Sequence, residues 1–120
     1  LSRGLGDVYK RQVDFWASWC GPCLREMPNV VEAYKRFHDK GLEIVGVSFD
    51  KDKKNWMAAV ERFGMTWPQM SDLKYWESAA VSLYGIRGIP ANVLLDPDGK
   101  IIALDLQGDN LQKKLEEIYK

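Results

Sequence analysis

An apolar, strand-like run, Val13-Asp14-Phe15-Trp16-Ala17, leads into Trp19-Cys20-Gly21-Pro22-Cys23, and a helix-like pattern begins directly behind it. Cys20 and Cys23 are the only cysteines in the chain. The order strand, cysteine, helix places a thiol at a helix N-terminus, where unpaired backbone N–H groups and the helix dipole stabilise a thiolate. The thiolate is the reactive form of cysteine, and a lowered thiol pKa lets such a site work near neutral pH. A C-x-x-C beside a β-α-β pattern therefore reads as a dithiol–disulfide redox centre. Three blander readings carry less. Free cysteines are often inert core residues. A structural staple across so short a loop removes little chain entropy. A zinc site needs two further ligands, and the sequence offers one histidine, His38, and no second cysteine pair. No metal and no cofactor beyond the cysteine pair is expected.

The rest of the chain alternates strand and helix patterns, which argues for an α/β sheet with helices packed on it. Val13 to Ala17 is a short strand. From Pro22 to Lys40 the residues Met27, Val30, Val31, Tyr34 and Phe37 fall at helical spacing. Pro22 sits in the first turn, where its missing N–H costs nothing. Pro28 lies inside the pattern and is expected to kink it, and Gly41 ends it. His38 near that end reads as a surface residue. Leu42 to Phe49 is the next strand. Trp56, Val60 and Phe63 mark a second helix closed by Gly64, and Trp67-Pro68 begins a loop. Trp76, Ala80, Leu83 and Tyr84 mark a third, short helix closed by Gly85. Ala91 to Leu95 and Lys100 to Leu106 flank the turn signal Asp96-Pro97-Asp98-Gly99, so they read as an antiparallel hairpin. Leu111, Leu115 and Ile118 mark a last amphipathic helix, with Asp109 or Asn110 as its cap.

The chain has 120 residues and a formal net charge of +0, which suits one domain with a single core and gives no basic stripe for nucleic acid. No apolar run is long enough to span a membrane. Among the tryptophans, Trp56 and Trp76 fall on helical apolar stripes and read as core. Trp16 and Trp19 directly precede the thiols, and one of them shields the site or offers an apolar surface to a partner chain.

Three features converge on the cysteine pair. Asp14 lies inside an apolar strand six residues before Cys20. A carboxylate there is poorly solvated, which raises its pKa and suits it to proton transfer with a thiol. Ile89-Pro90 precedes a strand, a place where proline marks a turn, an edge or a cis bond. Gly21-Pro22 restricts the loop between the thiols.

The segment from Val13 to Cys23, with Pro28 five residues beyond it, resembles the active-site segment of the thioredoxin superfamily, and Gly88-Ile89-Pro90 resembles its cis-proline loop. The closer resemblance is to the TlpA/ResA-type thiol–disulfide oxidoreductases. It rests on Glu26-Met27-Pro28-Asn29, on the insertion carrying Trp56 and Trp67-Pro68-Gln69, and on the stretch from Ile89 to Lys100. The resemblance implies a thioredoxin fold: a central mixed β-sheet flanked by helices on both faces, with a helical insertion before the cis-proline loop. It implies Cys20 as the attacking thiol, Cys23 as the resolving thiol, Asp14 as the buried acid/base and Pro90, after Ile89, as the cis-proline facing the thiols. Trp19, Gly21 and Pro22 shape the site. It also implies protein thiol or disulfide clients, an upstream electron donor, a monomer, and an extracytoplasmic location, with the cytoplasm as the alternative.

The start of the chain departs from that pattern. Members of the family carry an apolar stretch before the Asp14 position, whereas here Leu1 to Gln12 reads LSRGLGDVYKRQ. That segment is expected to be an atypical leader from a truncated or miscalled 5′ end or a fusion scar, ahead of a thioredoxin-like domain over residues 13–120. Lys10 and Arg11 would point to opposite faces of a central strand, so regular pairing is expected to begin near Gln12 or Val13, or this end to be strained or exposed.

The leading expectation is an enzyme exchanging disulfides with protein or small-thiol partners. The Gly-Pro dipeptide resembles that of reductants and points to a reductase. A peroxiredoxin-like peroxidase is disfavoured, because Ala17 rather than Thr stands three residues before Cys20. A non-catalytic client-binding module is the alternative from a different class.

Overall fold

The computed structural model of the chain describes residues 9–120. The expectation for Leu1 to Val8 lies outside the described residues. Five strands form one sheet: β1 (Lys10–Trp16), β2 (Leu42–Ser48), β3 (Gln69–Met70), β4 (Ala91–Leu95) and β5 (Ile101–Leu104). Four helices accompany them: α1 (Gly21–Phe37), α2 (Lys53–Arg62), α3 (Ala79–Tyr84) and α4 (Gly108–Ile118). The sheet order is β3-β2-β1-β4-β5. β1 runs parallel to β2 and antiparallel to β4, so the sheet is mixed and β1 is its central strand. This is the thioredoxin fold.

Alternation along β1 sorts the two faces. Val13 and Phe15 face a cleft of about 530 Å³ that Val47, Met70, Leu83 and Tyr84 also line. The rings of Phe15 and Tyr84 lie 5.2 Å apart, which seats α3 on this side. Asp14 and Trp16 point to the other face. There α1 and α4 pack together, joined by the Arg36–Glu116 ion pair at 2.6 Å and by Phe37 stacked on Tyr119 at 5.5 Å. The apolar spacing read along α1 is the buried stripe: Met27, Val30 and Phe37 are all buried. In α2, Trp56 is buried as expected, whereas Trp76 is only partly buried, packed against the core from the loop before α3. Trp67 is buried and lies 5.3 Å from the Tyr34 ring.

Several boundaries differ from expectation. β1 begins at Lys10, not at Gln12 or Val13, with Lys10 opposite Leu42 and Arg11 opposite Glu43. The backbone explains it: Lys10 N–H donates to the Gly41 carbonyl at 3.0 Å, extending the parallel ladder to where β2 starts. Lys10 is the buried member of the pair, and its long alkyl stem suits that position. Arg11 is exposed and donates to the Tyr9 hydroxyl at 2.9 Å. β5 stops at Leu104 rather than Leu106, because Asp105 turns into the left-handed region at φ 52°. α1 runs through Pro28 and ends at Phe37, followed by a 3-10 turn over His38–Lys40 and Gly41 at φ 121°. The β4–β5 hairpin forms as expected, with Gly99 at φ 84° in its turn.

The cap of α4 is also different. Neither Asp109 nor Asn110 caps it; the N-cap position is Gln107, whose side chain makes no capping bond. Glu26 of α1 does this instead, its Oε2 accepting from the Gly108 N–H at 2.8 Å.

Candidate active site

Cys20 and Cys23 are joined as a disulfide, with their Cα atoms 5.3 Å apart. The local sequence explains the placement. β1 ends at Trp16, a turn closes with Cys20 N–H donating to the Ala17 carbonyl at 3.1 Å, and α1 starts at Gly21. Cys20 occupies the N-cap of α1 in extended conformation, φ −93° and ψ 103°. Its Sγ accepts from the Cys23 N–H at 3.2 Å. A sulfur held there meets the positive end of the helix dipole, the arrangement that lowers a thiol pKa. Gly21 and Pro22 are exposed at the first turn of α1, where proline gives up no intrahelical bond.

The Ile89–Pro90 peptide bond is cis. Its loop reaches the disulfide: Cys20 Sγ lies 3.8 Å from the Ile89 carbonyl oxygen. A second cleft, of about 550 Å³, runs along this loop past Arg87, Pro90 and Asn92 to Leu104. The cis-proline loop and the cysteine turn, 69 residues apart in sequence, thus meet at one end of the sheet.

Asp14 is buried in β1, between Gly46 of β2 and Asn92 of β4. Burial, and then the nearby charge of Glu26, push its carboxyl up to about 7. It can therefore take or give a proton near neutral pH, which an ordinary aspartate cannot do. Trp16 is buried beside it, its indole N–H donating to Gln69 Oε1 at 3.0 Å. Trp19 is 46% exposed next to the disulfide, and its ring lies 5.2 Å from Tyr75 and 6.2 Å from Trp76. The turn of Tyr75–Glu77 thus builds an aromatic wall beside the thiols. Of the two tryptophans before the motif, Trp19 is the one that offers surface.

Of the residues singled out from sequence, Cys20, Cys23 and Ile89 meet at the disulfide, Pro90 follows Ile89 through the cis bond, Trp19 packs on Tyr75 beside the motif, and Asp14 is buried in the central strand that leads to it. Three contributors escaped sequence reading. Glu26 appeared only as part of a motif string, and its link to Gly108 spans 82 residues. Tyr75 joins Trp19 through an irregular turn in which it adopts φ 56°. Asp50 follows the apolar strand at its C-terminal end and is 1% exposed; a lone acid immediately after a buried strand was the available signal. Among the described residues, no group of three or more His, Cys, Asp or Glu side chains could hold a metal ion. Among those residues, too, no helix is long and apolar enough to cross a membrane.

The Redoxin family profile matches residues 6–119. The chain belongs to the Redoxin family. Within it, the thioredoxin fold and the motifs group the chain with TlpA/ResA-like proteins. It is 34% identical over 109 residues to the thiol-disulfide oxidoreductase ResA of Geobacillus thermodenitrificans, across 88% of this chain and 61% of that protein. The chain spans about three-fifths of the length of the curated relatives it matches. Among solved structures, a thiol-disulfide oxidoreductase from Bacteroides fragilis superposes with a TM-score of 0.85 at 33% identity, over 93% of this chain and 82% of that one. The thioredoxin domain of a thiol-disulfide oxidoreductase from Bacteroides vulgatus superposes with a TM-score of 0.86 at 35% identity, over 95% of this chain and 81% of that one.

Proposed function

We propose that this Redoxin-family chain is a thiol–disulfide oxidoreductase that exchanges disulfides with protein or small-thiol partners through Cys20 and Cys23, working as a reductant. The observation that carries the reading is the Cys20–Cys23 disulfide at the N-terminus of α1, facing the carbonyl of Ile89 beside a cis-proline. Similarity to proteins named thiol-disulfide oxidoreductase supports it.

The chemistry follows from the positions. In the reduced protein the Cys20 thiolate attacks one sulfur of a client disulfide. A Cys20–client bond forms, and the other client sulfur leaves as a thiolate. Cys23 gives its proton to Asp14 and attacks Cys20 Sγ, which releases the second client thiol. The client gains two electrons, and the Cys20–Cys23 pair returns to the disulfide. An upstream dithiol donor then restores the reduced state. Trp19, Gly21, Pro22, Ile89 and Pro90 shape the surface on which the client lies, and an extended client segment would run beside Ile89 as an added strand does. The pair needs no other cofactor. The chain acts as a monomer, in an extracytoplasmic compartment like that implied for TlpA/ResA-type proteins. The test is the reduction potential of the Cys20–Cys23 pair. A value near that of thioredoxin, about −270 mV, supports a reductant, and one near −120 mV indicates an oxidant.

A further inference from the structure

The redox turn is tied at its N-terminal limb to the end of β2, and the knot is a buried carboxylate. Asp50 is 1% exposed, and a charge so enclosed is tolerated only when its oxygens are fully hydrogen-bonded. Ser18 N–H lies 3.1 Å from both carboxylate oxygens. Ser18 Oγ donates to Oδ1 at 2.5 Å and Ser48 Oγ donates to Oδ2 at 2.5 Å. Ser48 Oγ in turn accepts from the Asp50 N–H at 3.0 Å. Hydrogen bonds to an ionised acceptor are stronger than neutral ones, and a water-poor site strengthens them further.

The neighbouring bonds run between the same two segments. Phe49 N–H donates to the Trp16 carbonyl at 2.8 Å, and the Trp19 indole N–H donates to the Phe49 carbonyl at 3.3 Å. Residues 48–50 therefore grip the chain from Trp16 to Trp19, immediately before Cys20. Cys23 is held from the other side, inside the first turn of α1. The distance between the two sulfurs is set by how these two limbs are fixed relative to each other.

We propose that Asp50 is a positioning residue for the redox turn: through Ser18 it holds Cys20 where Cys23 can close the disulfide, and so biases the pair toward the disulfide. The proposal rests on the reading of Cys20–Cys23 as a redox pair. Its physical content is effective concentration. Ring closure by Cys23 is an intramolecular step, favoured in proportion to the time the two sulfurs spend within bonding reach. Loosening the Ser18 limb lowers that fraction and leaves more dithiol at equilibrium. Asp50→Asn also removes the charge of Asp50. Ser18→Ala keeps that charge and so tests the tether alone.

The experiment equilibrates the full chain with graded ratios of reduced and oxidised dithiothreitol, traps it with acid and an alkylating agent, and reads the dithiol fraction by mass. Melting temperatures of both redox states are measured in parallel. Asp50→Asn is expected to move the equilibrium toward dithiol by about tenfold, which for a two-electron couple is about 30 mV. Ser18→Ala should move it the same way by a smaller factor, and Ser18→Thr, which keeps the hydroxyl, should stay near the parent. An anchor of equal worth in both redox states would lower both melting temperatures and leave the equilibrium where it was. That result overturns the proposal. Should Asp50→Asn fail to fold, Ser18→Ala decides in the same way: a shift upholds the tether and no shift refutes it. A parent chain whose disulfide never equilibrates with the dithiol overturns the redox reading itself, a failure visible before any variant is made.

Discussion

Glu26 Oε2 accepts a hydrogen bond from the Gly108 N–H at 2.8 Å, so a side chain on the cysteine-bearing helix caps the C-terminal helix. The same oxygen accepts from Asn29 Nδ2 at 2.8 Å, and Asn29 Nδ2 also reaches the Gly108 carbonyl at 2.9 Å. The carboxylate charge also acts on Asp14, adding to the effect of burial in raising its pKa. One residue thereby couples helix packing to the protonation of the buried acid.

Two substitutions at Glu26 should separate those roles. Glu26→Ala removes the cap and should cost about 1–2 kcal/mol in a denaturant melt, the usual worth of a lost N-terminal cap. Glu26→Gln keeps an acceptor oxygen for Gly108 but removes the charge. It should cost less stability and should lower the pKa of Asp14, read by the carboxyl carbon shift in an NMR titration. An unchanged Asp14 titration in Glu26→Gln would separate the two residues electrically.

Asp14 should make stability depend on pH. Its carboxyl lies at about 7 in the folded chain against an ordinary value of 3.8. Between those values the folded state holds a proton that the unfolded state has released. The contribution is therefore full below the lower value and is lost as pH rises through about 7. Asp14→Asn should remove this slope and stabilise the protein above neutral pH, by roughly 4 kcal/mol at about 1.4 kcal/mol per unit. It should also slow thiol–disulfide exchange near neutral pH. Melts of both proteins from pH 4 to 9 check the first point, and stopped-flow exchange the second. A parallel pair of stability curves would mean that Asp14 titrates normally.

Gly46 should tolerate no side chain. A Cβ there would run into the Gln69 side-chain amide. That amide is pinned: its oxygen accepts from the Trp16 indole at 3.0 Å, and its nitrogen lies 3.4 Å from Met65 Sδ. Displacing it leaves the buried Trp16 N–H without its acceptor, a loss of about 1–3 kcal/mol. Gly46→Ala should lower the melting temperature and shift tryptophan emission. In a Gln69→Ala background the same change should cost much less, because the obstructing amide is already gone. Equal costs in both backgrounds would place the strain elsewhere.

Cys20 should be the first thiol alkylated in the reduced protein at mildly acidic pH. Its sulfur sits at the N-cap of α1, against the helix dipole, and it is the less buried of the two, at 5% exposure against 1% for Cys23. Peptide mapping after brief iodoacetamide treatment reads the order. Labelling of Cys23 first would reverse the assigned roles.

The site was legible wherever chemistry depends on short-range order. The strand, C-x-x-C and helix succession placed both thiols, and the apolar flanks of Asp14 gave its burial. The hairpin around Asp96-Pro97-Asp98-Gly99 was plain because turn residues stand between apolar runs. What sequence did not carry was long-range pairing of polar groups. The cap on Gly108 comes from Glu26, and the acceptor for Ser18 comes from Asp50, 32 residues on. Neither bond leaves a local pattern. The start of β1 at Lys10 departs from expectation for a related reason. Hydrophobicity argued against Lys10, but a backbone ladder needs only N–H and C=O groups, and the Gly41 carbonyl supplied an acceptor. The turn at Tyr75 was hidden too, since positive φ at a non-glycine residue has no marker in composition.

The most direct test of the account is the rate at which dithiothreitol reduces a disulfide-bonded protein substrate in the presence of this chain. The parent chain should accelerate the reaction in proportion to its concentration. Cys20→Ser should abolish the acceleration, and reduced Cys23→Ser mixed with the substrate after dithiothreitol is removed should accumulate a mixed disulfide visible by mass. A parent chain that leaves the rate equal to that with Cys20→Ser, while its own Cys20–Cys23 bond is reduced normally, would contradict the account.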